Sequence, residues 1–223
     1  MTIHFIREVD ELKSLISELS GRVEDQLDKA VRSVMERDTQ AASAVLDEDH
    51  SIDLAEVDVE EECLKILALH QPVAHDLRFI VAVLKINNDL ERIGDLAVNI
   101  AERAIFLAEQ PLPATDFDFP LMADKATRML RDSLDALLKR DLKLAEKVRT
   151  ADDEVDQLNR DMYEQIKAGI RKDVKQVDAL IHLLAISRHL ERVADHATNI
   201  AEDVIYLLKG DIVRHRVEQY KVD

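Results

Sequence analysis

The stretch Leu90-Glu91-Arg92-Ile93-Gly94-Asp95-Leu96-Ala97-Val98-Asn99-Ile100-Ala101-Glu102 returns later in the chain as Leu190-Glu191-Arg192-Val193-Ala194-Asp195-His196-Ala197-Thr198-Asn199-Ile200-Ala201-Glu202. The offset is 100 residues, and nine of the thirteen positions are identical. A match of that length marks a duplicated unit. A weaker echo links Asp49-x-x-x-Asp53 to Asp152-x-x-x-Asp156 at an offset of 103. The repeat therefore covers pairs of elements, and the small change of offset fits a different connection within each copy.

Working outward, the surrounding residues are those of long helices. In the first, Phe5, Val9, Leu12, Leu15/Ile16, Leu19, Val23, Leu27, Val31 and Val34 recur at three- and four-residue spacing, the period of an amphipathic helix. It spans about Ile3 to Arg37. A second runs from about Gln40 to Leu69 and meets Pro72. A third follows Pro72, with Asp76 suited to its first turn, and reaches about Glu109. Pro111, Pro113 and Pro120, with Thr115 and Asp116 among them, form the one clear linker. The pattern then restarts. A fourth helix spans about Leu121 to Arg140. Asp141 opens a fifth that reaches about Gly169, and a sixth runs from near Val174 to about Gly210. The tail, 211–223, is expected to fray.

Composition agrees. Of 223 residues 47% are hydrophobic but only 4% aromatic, with no tryptophan and four each of Gly and Pro. A chain rich in helix formers and poor in turn and strand residues is all-α. The expected fold is two tandem three-helix bundles, 1–112 and 113–223, lying antiparallel or end to end.

The formal net charge of −16 repels phosphate backbones and excludes nucleic acid as a natural partner. It attracts cations or basic protein surfaces instead. Cys63 is the only cysteine, so no intramolecular disulfide forms, and a packed thiol in a reducing compartment is expected. The N-terminus lacks a signal-peptide core, and the longest apolar run, Phe79 to Leu84, is short of the roughly 20 residues a membrane span needs. The expected location is the cytoplasm, with the inner membrane reached only through partners.

On an α-helix residues four apart lie one above the other, at about 100° per residue. Glu91, Asp95, Asn99 and Glu102 thus share one stripe, opposite the apolar Ile86, Leu90, Ile93, Ala97, Ile100, Ala101 and Ala104. The same holds for Glu191, Asp195, Asn199 and Glu202. Asp49, Asp53, Glu56 and Glu60 share a face of the second helix. If the second and third helices pack antiparallel, their rows converge along one surface groove. Close carboxylates repel unless a cation lies between them, and oxygen clusters suit hard or borderline metals, with Asn99 or Asn199 as a neutral donor. A solvated charged face remains the alternative reading. Arg92 and Arg192 are placed to pair with neighbouring carboxylates.

The eight histidines show no Glu-x-x-His or His-Glu-x-x-His, which counts against a buried di-iron site or a zincin. His189 and His196 are read as surface residues; His70, His75 and His182 have no motif. With four scattered glycines and no phosphate-cradling loop or nucleophile elbow, nothing points to catalysis.

Pro72-Val73-Ala74-His75-Asp76-Leu77-Arg78, with Asp89 to Asp95 and Asn99-Ile100-Ala101, resembles the first-repeat signature of the PhoU family, the phosphate-specific transport accessory proteins of bacteria. His189 to Glu202 resembles its second repeat. The resemblance implies two similar three-helix bundles, commonly a homodimer, with multinuclear iron or zinc clusters on the acidic rows. Carried over by position, the metal candidates are Asp49, Asp53, Glu91, Asp95 and Asn99, then Asp152, Asp156, Glu191, Asp195 and Asn199. The second copy lacks the Pro-x-x-x-Asp-Leu-Arg element, its counterpart running through Arg171-Lys172-Asp173-Val174. It also has Asn159 and Tyr163 where the first has Glu56 and Glu60, so the second site is expected to be the weaker. The family role implied is negative regulation of the phosphate-starvation response and of phosphate uptake, by an adaptor between the ATPase subunit of a phosphate ABC transporter and a sensor histidine kinase. A carboxylate-based iron protein, either an oxidase or a cation buffer, is the alternative from another class. A scaffold whose acidic grooves hold basic partner segments, without metal, is a third.

Overall fold

A computed structural model describes residues 3–111 and 117–210. The linker residues Pro113, Thr115 and Asp116 and the tail 211–223 lie outside the described residues. Among the described residues there are six long helices: α1 (Ile3–Glu36), α2 (Thr39–His70), α3 (Ala74–Ala108), α4 (Phe119–Lys139), α5 (Leu142–Lys172) and α6 (Val177–Lys209). No strand occurs among the described residues.

Several helix ends have a local cause. The α1–α2 and α4–α5 corners are the same device used twice. Arg37 (φ 56°) and Arg140 (φ 53°) turn into the left-handed region. The following Asp38 accepts from the backbone N–H groups of Gln40 and Ala41, and Asp141 from those of Lys143 and Leu144. Each caps the next helix. The duplication thus extends to corners in which only the Arg-Asp pair is shared.

Gly169 differs from expectation. It does not end α5, which continues to Lys172. A β-carbon there would lie 3.1 Å from Leu180 Cδ1, so this glycine lets α6 approach closely. Asp173 then accepts from the Lys175 N–H, and Val174–Gln176 form one 3₁₀ turn before α6 begins.

Helices α1–α3 form one bundle and α4–α6 the other, with α3 packed along α6. One large hydrophobic core draws residues from all six helices, from Leu12 and Leu27 through Ile66 and Leu90 to Leu130, Val148 and Ile200, and a small separate cluster of Met162, Ile166 and Leu180 joins α5 to α6. The contacts across α3 and α6 run antiparallel: Lys85 meets Asp203, Asp89 meets His196, and Phe106 stacks on His182 at 3.9 Å. The bundles therefore lie side by side. At one end of this seam α6 stops at Gly210 (φ +80°), where an added β-carbon would lie 3.7 Å from the Arg78 guanidinium. A cation at a helix C-terminus is favoured by the carbonyl dipoles there. This places the Arg of the Pro-x-x-x-Asp-Leu-Arg element beside the end of α6.

The seam also corrects the reading of two histidines. His196 is not a surface residue; its Nδ1 lies 2.8 Å from Asp89 Oδ1, with both side chains largely buried. His189 lies in the same seam, and both of its ring nitrogens are buried without a hydrogen bond. Burial, then Arg103, Arg192 and Arg188, push it down to about 4, so it is neutral near pH 7. Neither position was recognisable on one helix, because the groups that bury them belong to the other repeat.

Candidate metal-binding surface

The antiparallel packing of α2 on α3 brings the two first-repeat rows together. Asp49 is raised above the usual carboxylate range chiefly by burial and then by Asp53 and Asp95, against a hydrogen bond from Gln26. Glu91 is raised by burial, then by Asp95, Asp53 and Asp49, with Arg92 opposing. Glu56 is raised by burial, then Glu60, Glu91 and Asp53. These shifts describe one coupled group of carboxylates, each costly to ionise beside the others.

The second repeat repeats the arrangement between α5 and α6. Asp152 is pushed up to about 6 by burial, then by Asp195, Asp156 and Asp153, with the Thr198 hydroxyl beside it pulling the other way. Glu191 is raised by burial and then by Asp156 and Asp152, and Asp195 by burial and then by Glu191 and Asp156. Each row thus faces its partner helix while keeping some contact with solvent.

The two asparagines stand differently. Asn99 donates to its own helix, to the Asp95 carbonyl at 2.6 Å. Asn199 reaches into the seam and donates to Asp89 Oδ1 at 3.3 Å. Both retain an amide oxygen, but Asn199 is oriented by the other repeat. Arg92 pairs as its spacing predicts, 3.3 Å from both Glu91 and Asp95.

The donor set fits a hard or borderline cation. It is all oxygen, its carboxylates repel one another, and Glu91 Oε2 is buried without a hydrogen bond, facing the Arg92 guanidinium at 3.3 Å. A bound cation would relieve both conditions. In this structure the side chains remain apart: among the described residues no three His, Cys, Asp or Glu side chains converge tightly enough to ligate one ion. Asp49, Asp53, Glu91 and Asp95 would hold such an ion in the first repeat, and Asp152, Asp156, Glu191 and Asp195 in the second.

Two residues beneath the first row escaped the sequence reading. Gln26 on α1 and Asn87 on α3 are 0% and 1% exposed, and both donate to row carboxylates. Each breaks an apolar stripe, Gln26 between Val23 and Ala30, Asn87 between Val83 and Leu90. That interruption was the available signal.

The fold agrees with the comparisons to known proteins. The PhoU domain model matches residues 16–104 and again 119–204. The chain belongs to the PhoU family. A phosphate-specific transport system accessory protein PhoU homolog of Aquifex aeolicus is 39% identical over 210 residues, covering 94% of this chain and 95% of its own. A homolog of the same name from Pseudomonas putida is 37% identical, covering 95% and 83%. The crystal structure of PhoU from Pseudomonas aeruginosa superposes with a TM-score of 0.90 at 34% identity, covering 93% of this chain and all of that one. That of the phosphate transport system regulatory protein PhoU from Streptococcus pneumoniae gives 0.84 at 30%, covering 94% and 99%.

Proposed function

We propose that this chain is a regulator associated with phosphate transport, one that restrains both phosphate uptake and the phosphate-starvation response. In this reading it is a homodimeric cytoplasmic adaptor, not an enzyme. It links the ATPase subunit of a phosphate ABC transporter to a sensor histidine kinase and binds iron or zinc on its two acidic surfaces. The observation that carries the proposal is the duplicated pair of carboxylate rows on a PhoU fold, in a family whose relatives are named as accessory proteins of phosphate-specific transport. Among the described residues no helix is long and apolar enough to cross a membrane, which suits a partner that meets membrane complexes from one side.

The alternative, a carboxylate-based iron oxidase, calls for ligands inside the bundle. These rows lie where α2 meets α3 and α5 meets α6, in contact with solvent, which favours a structural or regulatory ion. An iron buffer remains compatible with them.

Two measurements test the proposal. Deleting the gene should switch on phosphate-starvation genes in phosphate-rich medium, and affinity capture should enrich the transporter ATPase and the kinase. Silent genes together with neither partner enriched would refute the adaptor role. Elemental analysis after chelation and reconstitution should find iron or zinc in the wild type and little in Asp95→Ala plus Asp195→Ala. Ferroxidase turnover by the reconstituted protein would favour the oxidase.

A further inference from the structure

The first and second repeats differ beneath their rows more than within them. The shared corners, Arg37-Asp38 and Arg140-Asp141, set Gln26 of α1 opposite Met129 of α4. The shared motif sets Asn87 opposite Ser187 and Gly94 opposite Ala194. Under the first row there are two buried amides; under the second, a thioether and a hydroxyl.

The orientation of Gln26 follows from its neighbours. Its amide lies 3.4 Å from both the Val45 carbonyl and Asp49 Oδ1. Both neighbours can only accept, so the nitrogen must face them. The oxygen then points the other way, where it is buried and makes no hydrogen bond. It lies 3.3 Å from where a β-carbon would stand on Gly94. An alanine at position 94 would crowd it, and the second repeat has alanine only where the amide is gone.

Asn87 repeats the pattern. Its nitrogen donates to the Glu56 carbonyl at 3.0 Å and to Glu56 Oε1 at 2.8 Å. Its oxygen is buried and makes no hydrogen bond. The counterpart Ser187 donates to Asn159 at 2.9 Å, where no carboxylate exists to be held.

A buried amide oxygen without a partner is unfavourable, and an apolar side chain of similar size would suit the core better. Residues that cost stability and reach toward a carboxylate cluster are expected where function requires them. We propose that Gln26 and Asn87 are positioning residues for the first-repeat cation site. They hold Asp49 and Glu56 from beneath in fixed rotamers, and Glu56 joins the ligand set there without a counterpart in the second repeat. The first site then binds more tightly than the second. Hydrogen bonds to a metal-bound carboxylate orient it and reduce the ordering that binding must supply.

The inference rests on the metal reading above, so its test must separate the two. Zinc is titrated against a chromophoric chelator in a background of Asp152→Asn plus Asp195→Asn, which leaves only the first row. Gln26→Met and Asn87→Ser, each the residue found in the second repeat, should weaken zinc about 10- to 100-fold. For Gln26→Met, where an apolar side chain of similar size replaces the amide, the metal-free melting temperature should stay level or rise, a result that a merely structural role would reverse. In the opposite background, Asp49→Asn plus Asp95→Asn, Gln26→Met should leave zinc binding unchanged. If Gln26→Met fails to fold, Asn87→Ser decides alone. Unchanged affinity in the first background, or a loss that only follows a fall in metal-free stability, overturns the positioning role. No zinc uptake by the wild type overturns the metal reading and this inference with it.

Discussion

Asp152→Asn should raise the stability of the metal-free protein at neutral pH, although it removes a site residue. Asp152 titrates near 6 in the fold against an ordinary 3.8, because it is half-buried among Asp195, Asp156 and Asp153. A carboxyl raised in the fold contributes stability below its unfolded value, which is lost as pH rises through the folded one. The window here runs from about pH 4 to 6. At 1.36 kcal/mol per tenfold, full ionisation costs about 3 kcal/mol. Partial exposure and screening reduce this to about 1–2 kcal/mol. The amide replaces the carboxylate with a neutral group of the same shape. In a chain of this size each kcal/mol moves the melting temperature by about 2–4 °C, so the variant should melt about 3–6 °C higher in chelator at pH 7.5. The gain should shrink as pH falls through 6 and vanish near pH 4. Zinc should reverse the order, stabilising the wild type more than the variant. Calorimetric melts at both pH values, with chelator and with zinc, measure all of this. A chelated variant that melts no higher than wild type at pH 7.5, or whose gain persists at pH 4, would refute the electrostatic account of the row.

The other predictions concern the frame. Asp38→Ala and Asp141→Ala should each cost about 1 kcal/mol, because each aspartate caps two N–H groups at 2.9–3.1 Å. The two losses should add in the double variant, since the caps share no partner; denaturant midpoints would show it. Cys63 is wholly buried and its thiol is pushed up to about 12, by burial first and then by Glu62 and Glu60. A disulfide reagent such as Ellman's should leave the native protein almost unlabelled and label it fully in guanidinium, and rapid native labelling would show that this part of the core opens.

Much of this protein could be read along the chain. The apolar stripes, the Arg-Asp corners and the twin motif are local in sequence. A helix turns their spacing directly into a face, so helix number, approximate boundaries and the composition of each acidic row followed. Gly169 was misread because glycine both ends helices and admits close neighbours; only Leu180, from another helix, distinguishes the two.

Tertiary structure decided what depends on distance between segments. Whether the α2 and α3 rows act on one another required the antiparallel packing that couples Asp49 to Asp95 and Glu56 to Glu91. That His196 and His189 are enclosed, and that Asn199 turns toward Asp89, required α3 to lie along α6. Helical periodicity determines which residues share a face, and so the sequence alone determined the two carboxylate rows. What lies opposite a face, and what supports it from below as Gln26 and Asn87 do, arises only when several faces meet in one core.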